Sequence, residues 1–206
     1  MKGEILKTAA GYPVHISGGN MKTGEIPAFS VTPGATCSAE ACRTCFLEGC
    51  YAAKIVKLRP SVRAAWDENT NAARRDLSGL EAVLMAYFGR FNAPRAFRVH
   101  VSGDFFSREY AKMWARVAAA NPGTRFLAFT KQWDNVRGVD WPRNFSLILS
   151  GWTGVTIPDD LRAGHYCADC VEKGQTPPDG ARKCGGNCAE CGFCWNPSKN
   201  LYFDKH

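Results

Sequence analysis

Three features of the sequence predict an α/β fold on a parallel sheet, in the form of a small or incomplete (β/α) barrel. Strand-like runs alternate with helix-length amphipathic stretches between residues 61 and 150. Each of those runs ends in small polar residues. The ten cysteines lie outside that region, in cysteine-rich N- and C-terminal segments.

The first helical stretch is SVRAAWDENTNAARRDLSGLEAVLMAYFGRF, residues 61–91, which reads as two helices broken near Ser78-Gly79. Leu80, Val83, Leu84, Tyr87 and Phe88 recur at helical spacing in its second half. AFRVHVSGDFF follows as a compact run of strand composition closing at Gly103-Asp104. SREYAKMWARVAAANPG is a helix with Ser107 as N-cap, Tyr110, Met113, Trp114 and Val117 on its inner face, and Asn121-Pro122-Gly123 as its stop. TRFLAFTK and NFSLILSGW are two further strands. Strands alternating with helices imply βαβ units, and ligands on such sheets sit at the carboxyl ends of the strands. Ser102-Gly103-Asp104, Thr130-Lys131 and Ser150-Gly151-Trp152 occupy those ends. Ser102, Gly103, Asp104 and Lys131 are therefore candidate cofactor-binding residues: Asp104 for an amine, or else as turn chemistry, and Lys131 as an anion contact. The stretch EKGQTPPDGARK, residues 172–183, reads as a loop.

A chain of 206 residues, 45% hydrophobic and 22% charged, suffices for one domain with its own core. The expected organisation of residues 1–206 is a cysteine loop at 1–50, an α/β core at 51–160 and a cysteine-rich segment at 161–206. No stretch approaches the roughly 20 apolar residues of a membrane span. The start, MKGEILKTAAGYPVHIS, lacks the apolar run of a signal peptide, so the protein is expected to stay in the cytoplasm. There, closely spaced cysteines point to metal or catalysis rather than to disulfides. The net charge of +7 counts every cysteine as neutral. Eight thiolates on two clusters of core charge about +2 each would lower it by about four.

Two constellations carry the metal argument. Cys37-x4-Cys42-x2-Cys45-x4-Cys50 follows Pro33-Gly34, and Cys184-x3-Cys188-x2-Cys191-x2-Cys194 follows Cys167-x2-Cys170. Four thiolates in a stretch of such length suit a [4Fe-4S] cluster, whose irons each need one sulfur ligand. Structural zinc is the competitor, because Cys167-x2-Cys170 together with a later CxxC makes a pair of zinc knuckles. Six C-terminal cysteines exceed the needs of one cluster, which leaves two that are spare, redox active or bound to a second metal. His165 is a possible substitute ligand, and His100 reads as a core residue. Phe46, Tyr51, Tyr166, Phe193 and Trp195 stand where they could shield sulfurs, or simply pack. Arg59, Arg63, Arg74 and Arg75 form a basic stretch open to nucleic acid, although such helices are usually just solvated.

The stretches TPGATCSAEACRTCFLEGCYAAK, FRVHVSGDFFSREYAKMW, RFLAFTK and CAECGFCW together resemble the phage and prophage gene product 88 domain family. That resemblance implies a phage-encoded protein in a bacterial host, without a defined activity. A more distant similarity is to radical S-adenosylmethionine enzymes, which bind a cluster through CxxxCxxC and the methionine amine through Gly-Gly-Glu. Cys37, Cys42 and Cys45 match the first, and Ser102-Gly103-Asp104 the second. The spacing differs, Asp104 replaces Glu, and Cys50 would close the iron that such chemistry leaves open. The expected function is accordingly a redox iron-sulfur protein with one or two [4Fe-4S] clusters and an unknown redox partner. A radical S-adenosylmethionine-like enzyme and a zinc-stabilised nucleic-acid-binding protein are the alternatives.

Overall fold

The computed structural model describes residues 3–46, 49–152, 155–172 and 174–204. Nine strands form one mixed sheet in the order β1-β2-β3-β4-β5-β6-β7-β9-β8. They are β1 (Glu4–Lys7), β2 (Pro13–Ser17), β3 (Ala28–Phe29), β4 (Ala96–Val99), β5 (Arg125–Thr130), β6 (Phe145–Ser150), β7 (Tyr166–Val171), β8 (Arg182–Lys183) and β9 (Leu201–Asp204). β1, β2 and β3 pair antiparallel, and every pairing from β3 onward is parallel. The sheet is open: its outer strands, β1 and β8, do not pair with each other. The expected α/β fold on a mostly parallel sheet is present, unclosed and with an antiparallel margin.

The helices are α1 (Ala39–Ala41), α2 (Tyr51–Leu58), α3 (Pro60–Arg75), α4 (Leu77–Phe88), α5 (Arg108–Ala120), α6 (Trp133–Val136), α7 (Asp159–Arg162) and α8 (Cys188–Cys191). The break between α3 and α4 falls at Asp76, two residues before the expected Ser78-Gly79. Asp76 caps α4 by accepting the Gly79 amide at 3.0 Å, so Ser78 and Gly79 belong to the first turn. Ser107 caps α5 as expected, accepting the Tyr110 amide at 3.2 Å.

From β3 to β7 the parallel strands follow one another in chain order. The connecting helices α4 and α5 pack their apolar faces on one side of these strands. Strand alternation sorts the side chains accordingly. Phe97, Val99, Phe126, Ala128, Phe145, Leu147 and Leu149 meet Leu80, Leu84 and Phe88 of α4 and Tyr110, Met113, Trp114 and Val117 of α5 in the main core. Phe88 lies edge-on to Phe97 at 4.8 Å, and Phe97 stands 6.0 Å from Trp114. The opposite, inner face carries Leu127, Ile148, Ala168 and Leu201. Phe129, Phe193, Cys194, Trp195 and Phe203 pack against these four. The inner lining is thus supplied in part by the C-terminal cysteine segment itself.

α3 covers the antiparallel margin. Asn69, buried in the middle of α3, donates to the carbonyls of His15 at 3.0 Å and Ser30 at 2.9 Å, and accepts the His15 amide at 2.7 Å. One amide side chain therefore joins β2 to the exit of β3.

Candidate metal centre

The chain leaves β3 at Phe29 and enters the first cysteine loop at the carboxyl ends of β4 and β5. Val31 donates its amide to the Ser102 carbonyl at 3.0 Å. The Thr36 hydroxyl donates to the Thr32 carbonyl at 2.7 Å and accepts the Asp104 amide at 3.1 Å. Gln132 donates to the Thr36 carbonyl at 3.0 Å, and Arg74 to the Ala35 carbonyl at 2.6 Å. The loop is thereby anchored to the ends of both strands and to α3. Arg74 also lies over the Phe106 ring at 5.2 Å, while Arg63 stands 3.7 Å from Asp67, so two of the four arginines of the expected basic surface serve the fold.

Within the loop, Gly34 is bracketed by two sulfurs. Its amide donates to Cys37 Sγ at 3.4 Å, and its carbonyl accepts from Cys42 Sγ at 3.3 Å. Gly34 holds φ at +78°, and a Cβ there would lie 3.1 Å from the Phe46 ring, so the turn requires glycine. The next residues wind as a five-residue π turn, Cys42–Phe46. Widened turns of this kind are over-represented at functional sites. Cys50 then stands at the N-cap of α2. The Tyr51 hydroxyl donates to the Val101 carbonyl, pinning the start of α2 to the end of β4.

The four sulfurs sense one another. Burial pushes the Cys37 thiol up to about 12, and Asp104, Cys42 and Cys50 add to the rise. Burial also raises Cys42. The interaction between the Cys45 and Cys50 side chains raises Cys45 and lowers Cys50. Lys131 favours the thiolate of both. The Ala52 and Ala53 amides at the start of α2 also favour the Cys50 thiolate, although neither closes a capping hydrogen bond.

The candidate cofactor-binding residues lie beside this group. β4 stops at Val99 rather than running on to Gly103-Asp104, because His100 turns the chain with φ at +64°. Ser102 is buried, with no hydrogen-bond partner for its hydroxyl among the described residues. Gly103 has φ at +74°, and a Cβ there would fall 2.5 Å from both Thr36 and Val31. Asp104 Oδ1 accepts the Thr130 hydroxyl at 2.6 Å and the Phe105 amide at 2.8 Å, and Oδ2 accepts the Lys131 amide at 2.7 Å. Both oxygens are thus taken up in clasping β4 to β5, which is turn chemistry. Lys131 Nζ donates to Ser150 at 3.1 Å and stands 5.5 Å over the Trp152 ring.

The second group lies elsewhere on the sheet. Cys184 donates its amide to the Tyr202 carbonyl at 2.8 Å, beside β9. Asn187 caps α8, and the Cys188 amide donates to the Lys22 carbonyl at 2.8 Å. Lys22 belongs to the connection entering β3, so the segment reaches across the inner face toward the amino side of the strands. The first cysteine loop lies at the carboxyl edge; in the second group Cys184 follows the carboxyl end of β8, whereas Cys188 reaches the connection that enters β3. Cys184, Cys188, Cys191 and Cys194 line one small hollow with Arg182, Phe193, Trp195 and Leu201. Arg182 lies over Phe193 at 4.6 Å and donates to Cys191 Sγ at 3.6 Å. Burial raises Cys188, and raises Cys194 to about 11.

Cys167 and Cys170 do not act as a pair. Cys167 is wholly buried in the helix-side core, its amide donating to Asn200 at 2.9 Å, whereas Ala168 belongs to the inner face. Alternation along β7 sends Cys170 to the inner side as well. A strand therefore splits this CxxC across the sheet and removes it as a zinc knuckle, with Cys167 excluded from either metal group. His165 contacts the Leu161 carbonyl at 3.1 Å and lines an outer hollow with Tyr166, Asp179 and Lys199. Of the five candidate shielding aromatics, Phe193 and Trp195 pack in the inner cluster.

Sequence reasoning passed over Arg98. It projects from β4 to the inner face, its guanidinium 4.4 Å over the Phe129 ring and its Nε donating to the His100 carbonyl at 3.1 Å. The signal lay in the alternation of Phe97 and Val99 with Arg98, which reading the run as uniformly apolar concealed.

None of the ten cysteines is in a disulfide. Among the described residues, no three or more Cys, His, Asp or Glu side chains are drawn close enough to hold a metal ion as they stand. The donor chemistry nonetheless fits a sulfur-ligated centre. Each group offers four thiols, with a cation beside the first at Lys131 and beside the second at Arg98. Closing a cluster requires the sulfurs to move inward.

Fold and site together define a mixed α/β protein with cysteine-rich segments at and within an open sheet. The chain belongs to the Gene product 88 family, whose sequence profile matches residues 5–178. It is 27% identical to the Gene 88 protein of Mycobacterium phage L5, across 92% of both chains. The Gene 88 protein of Mycobacterium phage D29 is 26% identical, also across 92% of both. No solved structure matches it. The profile match takes in Cys37, Cys42, Cys45 and Cys50 and ends before Cys184.

Proposed function

We propose that this protein binds [4Fe-4S] clusters through its two cysteine groups and works as a one-electron redox protein in the cytoplasm of a phage-infected bacterium. The observation that supports the reading is the placement of Cys37, Cys42, Cys45 and Cys50 on one loop anchored beyond the carboxyl ends of β4 and β5, with Gly34 hydrogen-bonded to both Cys37 Sγ and Cys42 Sγ. These four would hold one cluster, and Cys184, Cys188, Cys191 and Cys194 a second. Such a cluster supplies reversible uptake of a single electron, at a potential set by charge, hydrogen bonds and exposure. The chain contributes the tuning groups: the Gly34 amide on Cys37, the α2 amides near Cys50, and the Lys131 charge.

Cys50 argues against the radical S-adenosylmethionine-like reading, because a fourth thiolate closes the iron that such chemistry needs open. Addition of S-adenosylmethionine should accordingly leave the EPR signal of the reduced protein unchanged. The split of Cys167 from Cys170 weakens the zinc-knuckle reading and the nucleic-acid module built on it. Anaerobic purification with iron, sulfide and zinc analysis is the deciding experiment. Brown protein with about eight irons per chain supports two cubanes, and about four supports one. Colourless protein with stoichiometric zinc overturns the proposal.

A further inference from the structure

α2 buries one side and leaves the other bare. Ala52 and Ala53 face the fold, whereas Tyr51, Ile55 and Leu58 recur at i, i+4 and i+7 on the far side, 56%, 37% and 77% exposed. A single exposed apolar side chain is ordinary, but three in one helical line without cover make the kind of patch that receives a partner. The charges beside it have one sign. Lys54 and Lys57 lie on the same helix, Arg59 ends it and Arg63 follows in the first turn of α3, all of them exposed. Among the described residues only Arg63 of this group has a carboxylate in ion-pair reach, Asp67 at 3.7 Å. Cys50 is the N-cap of α2, so Ile55 stands only about 8 Å along the helix axis from the first cysteine group.

We propose that this face of α2 docks an acidic electron-carrier protein, the redox partner of the first cysteine group. The assignment rests on the iron-sulfur reading for the purpose of the contact and adds the partner's chemistry to it. Opposite charge steers such a partner to the row of cations, and the apolar stripe gives the pair a small dry centre, the pattern of brief redox encounters. A second copy of this chain would set the same cations against each other and be repelled. Nucleic acid would meet an apolar ridge where its phosphates need donors. An anionic membrane would find little to bury on two helical turns.

Titration calorimetry of the full chain with two acidic carriers, a flavodoxin and a plant-type ferredoxin, tests this without needing iron in the protein itself. Binding is expected at low salt and should fade as salt is raised. Lys54→Glu combined with Lys57→Glu should weaken it about tenfold and flatten the salt dependence, and Leu58→Ser should weaken it about fivefold with the salt dependence kept. Phe91→Ser, at an exposed ring outside α2, should leave binding unchanged. In anaerobic rapid mixing, the α2 variants should slow electron transfer from the reduced carrier while reduction by dithionite keeps its rate. No binding to either carrier at low salt, or binding that the α2 variants do not weaken, overturns the assignment. So does a preference for a DNA duplex or for vesicles of anionic phospholipid that those variants abolish. An unaltered chain that binds no iron instead overturns the preceding reading, and the titrations then decide on the docking surface alone.

Discussion

Asp104, in the turn that follows β4, accepts the Thr130 hydroxyl at the end of β5 at 2.6 Å, and that bond fixes where the first cysteine loop sits. Through its amide the same residue reaches Thr36, one position before Cys37. Asp104→Asn puts an amide group where acceptors are required, opposite the Thr130 hydroxyl or the Lys131 amide. A cost of about 2 kcal/mol is expected, from the donors left unpaired. Urea unfolding of the variant beside the unaltered chain measures it, and an unchanged midpoint would refute the clasp.

Gly103 tests the same junction sterically. With φ at +74° and Thr36 and Val31 at 2.5 Å from a built Cβ, Gly103→Ala should cost about 2–4 kcal/mol and loosen the loop. Gly123 has open space around it and no left-handed φ, so Gly123→Ala serves as a neutral control in the same thermal melts.

His100 gives stability a pH dependence. Burial, and then the Arg98 charge, lower its pKa to about 3, and its ring bonds Tyr110 at 2.8 Å. The unfolded chain takes up a proton near pH 6.5 that the folded chain refuses until about pH 3, so the unfolded state binds more protons across that window. Stability contributed by the neutral ring is therefore present above about pH 6.5 and lost on acidification, by about 2 kcal/mol between pH 7 and pH 5. His100→Asn, which tolerates the left-handed backbone, should flatten that slope in chemical unfolding at several pH values. An equal slope in both proteins would show that other groups carry the dependence.

The cysteines separate by role. On the proposed iron-sulfur reading, Cys45→Ser or Cys50→Ser should remove about four irons per chain, because a cubane takes one ligand from each of four cysteines. Cys167→Ser should leave iron untouched and lower stability by about 1–3 kcal/mol, since it buries a hydroxyl in the helix-side core. Iron loss in Cys167→Ser would contradict its placement on the far side of β7.

Much of the helix side was legible because amphipathic spacing and caps are local signals. Ser107 and the Tyr110, Met113, Trp114, Val117 stripe could be read directly, as could β5 and β6. The antiparallel margin was not, because β1 and β3 are four and two residues long and depend on their pairing rather than on their own composition. β7 is hidden for a different reason: YCADCV carries two cysteines at metal-ligand spacing, which masks its strand alternation. The Asp76 cap shows that a break is better placed by its capping side chain than by the nearest glycine. At the site, the grouping of Cys37 to Cys50 was visible in spacing. The reach of Cys188 to the connection entering β3 depends on its bond to Lys22, a contact between distant parts of the chain that no local pattern encodes.

That bond also orders events in time. Residues 22 and 188 stand far apart in sequence, so their union comes after almost the whole chain has been synthesised, and it closes a long loop at an entropic cost. Until then the helix-covered side can consolidate while the reverse of the sheet stays wet. That face is sealed last, and a chain truncated shortly before Cys188 would lack the Phe193 and Trp195 cover and leave it exposed.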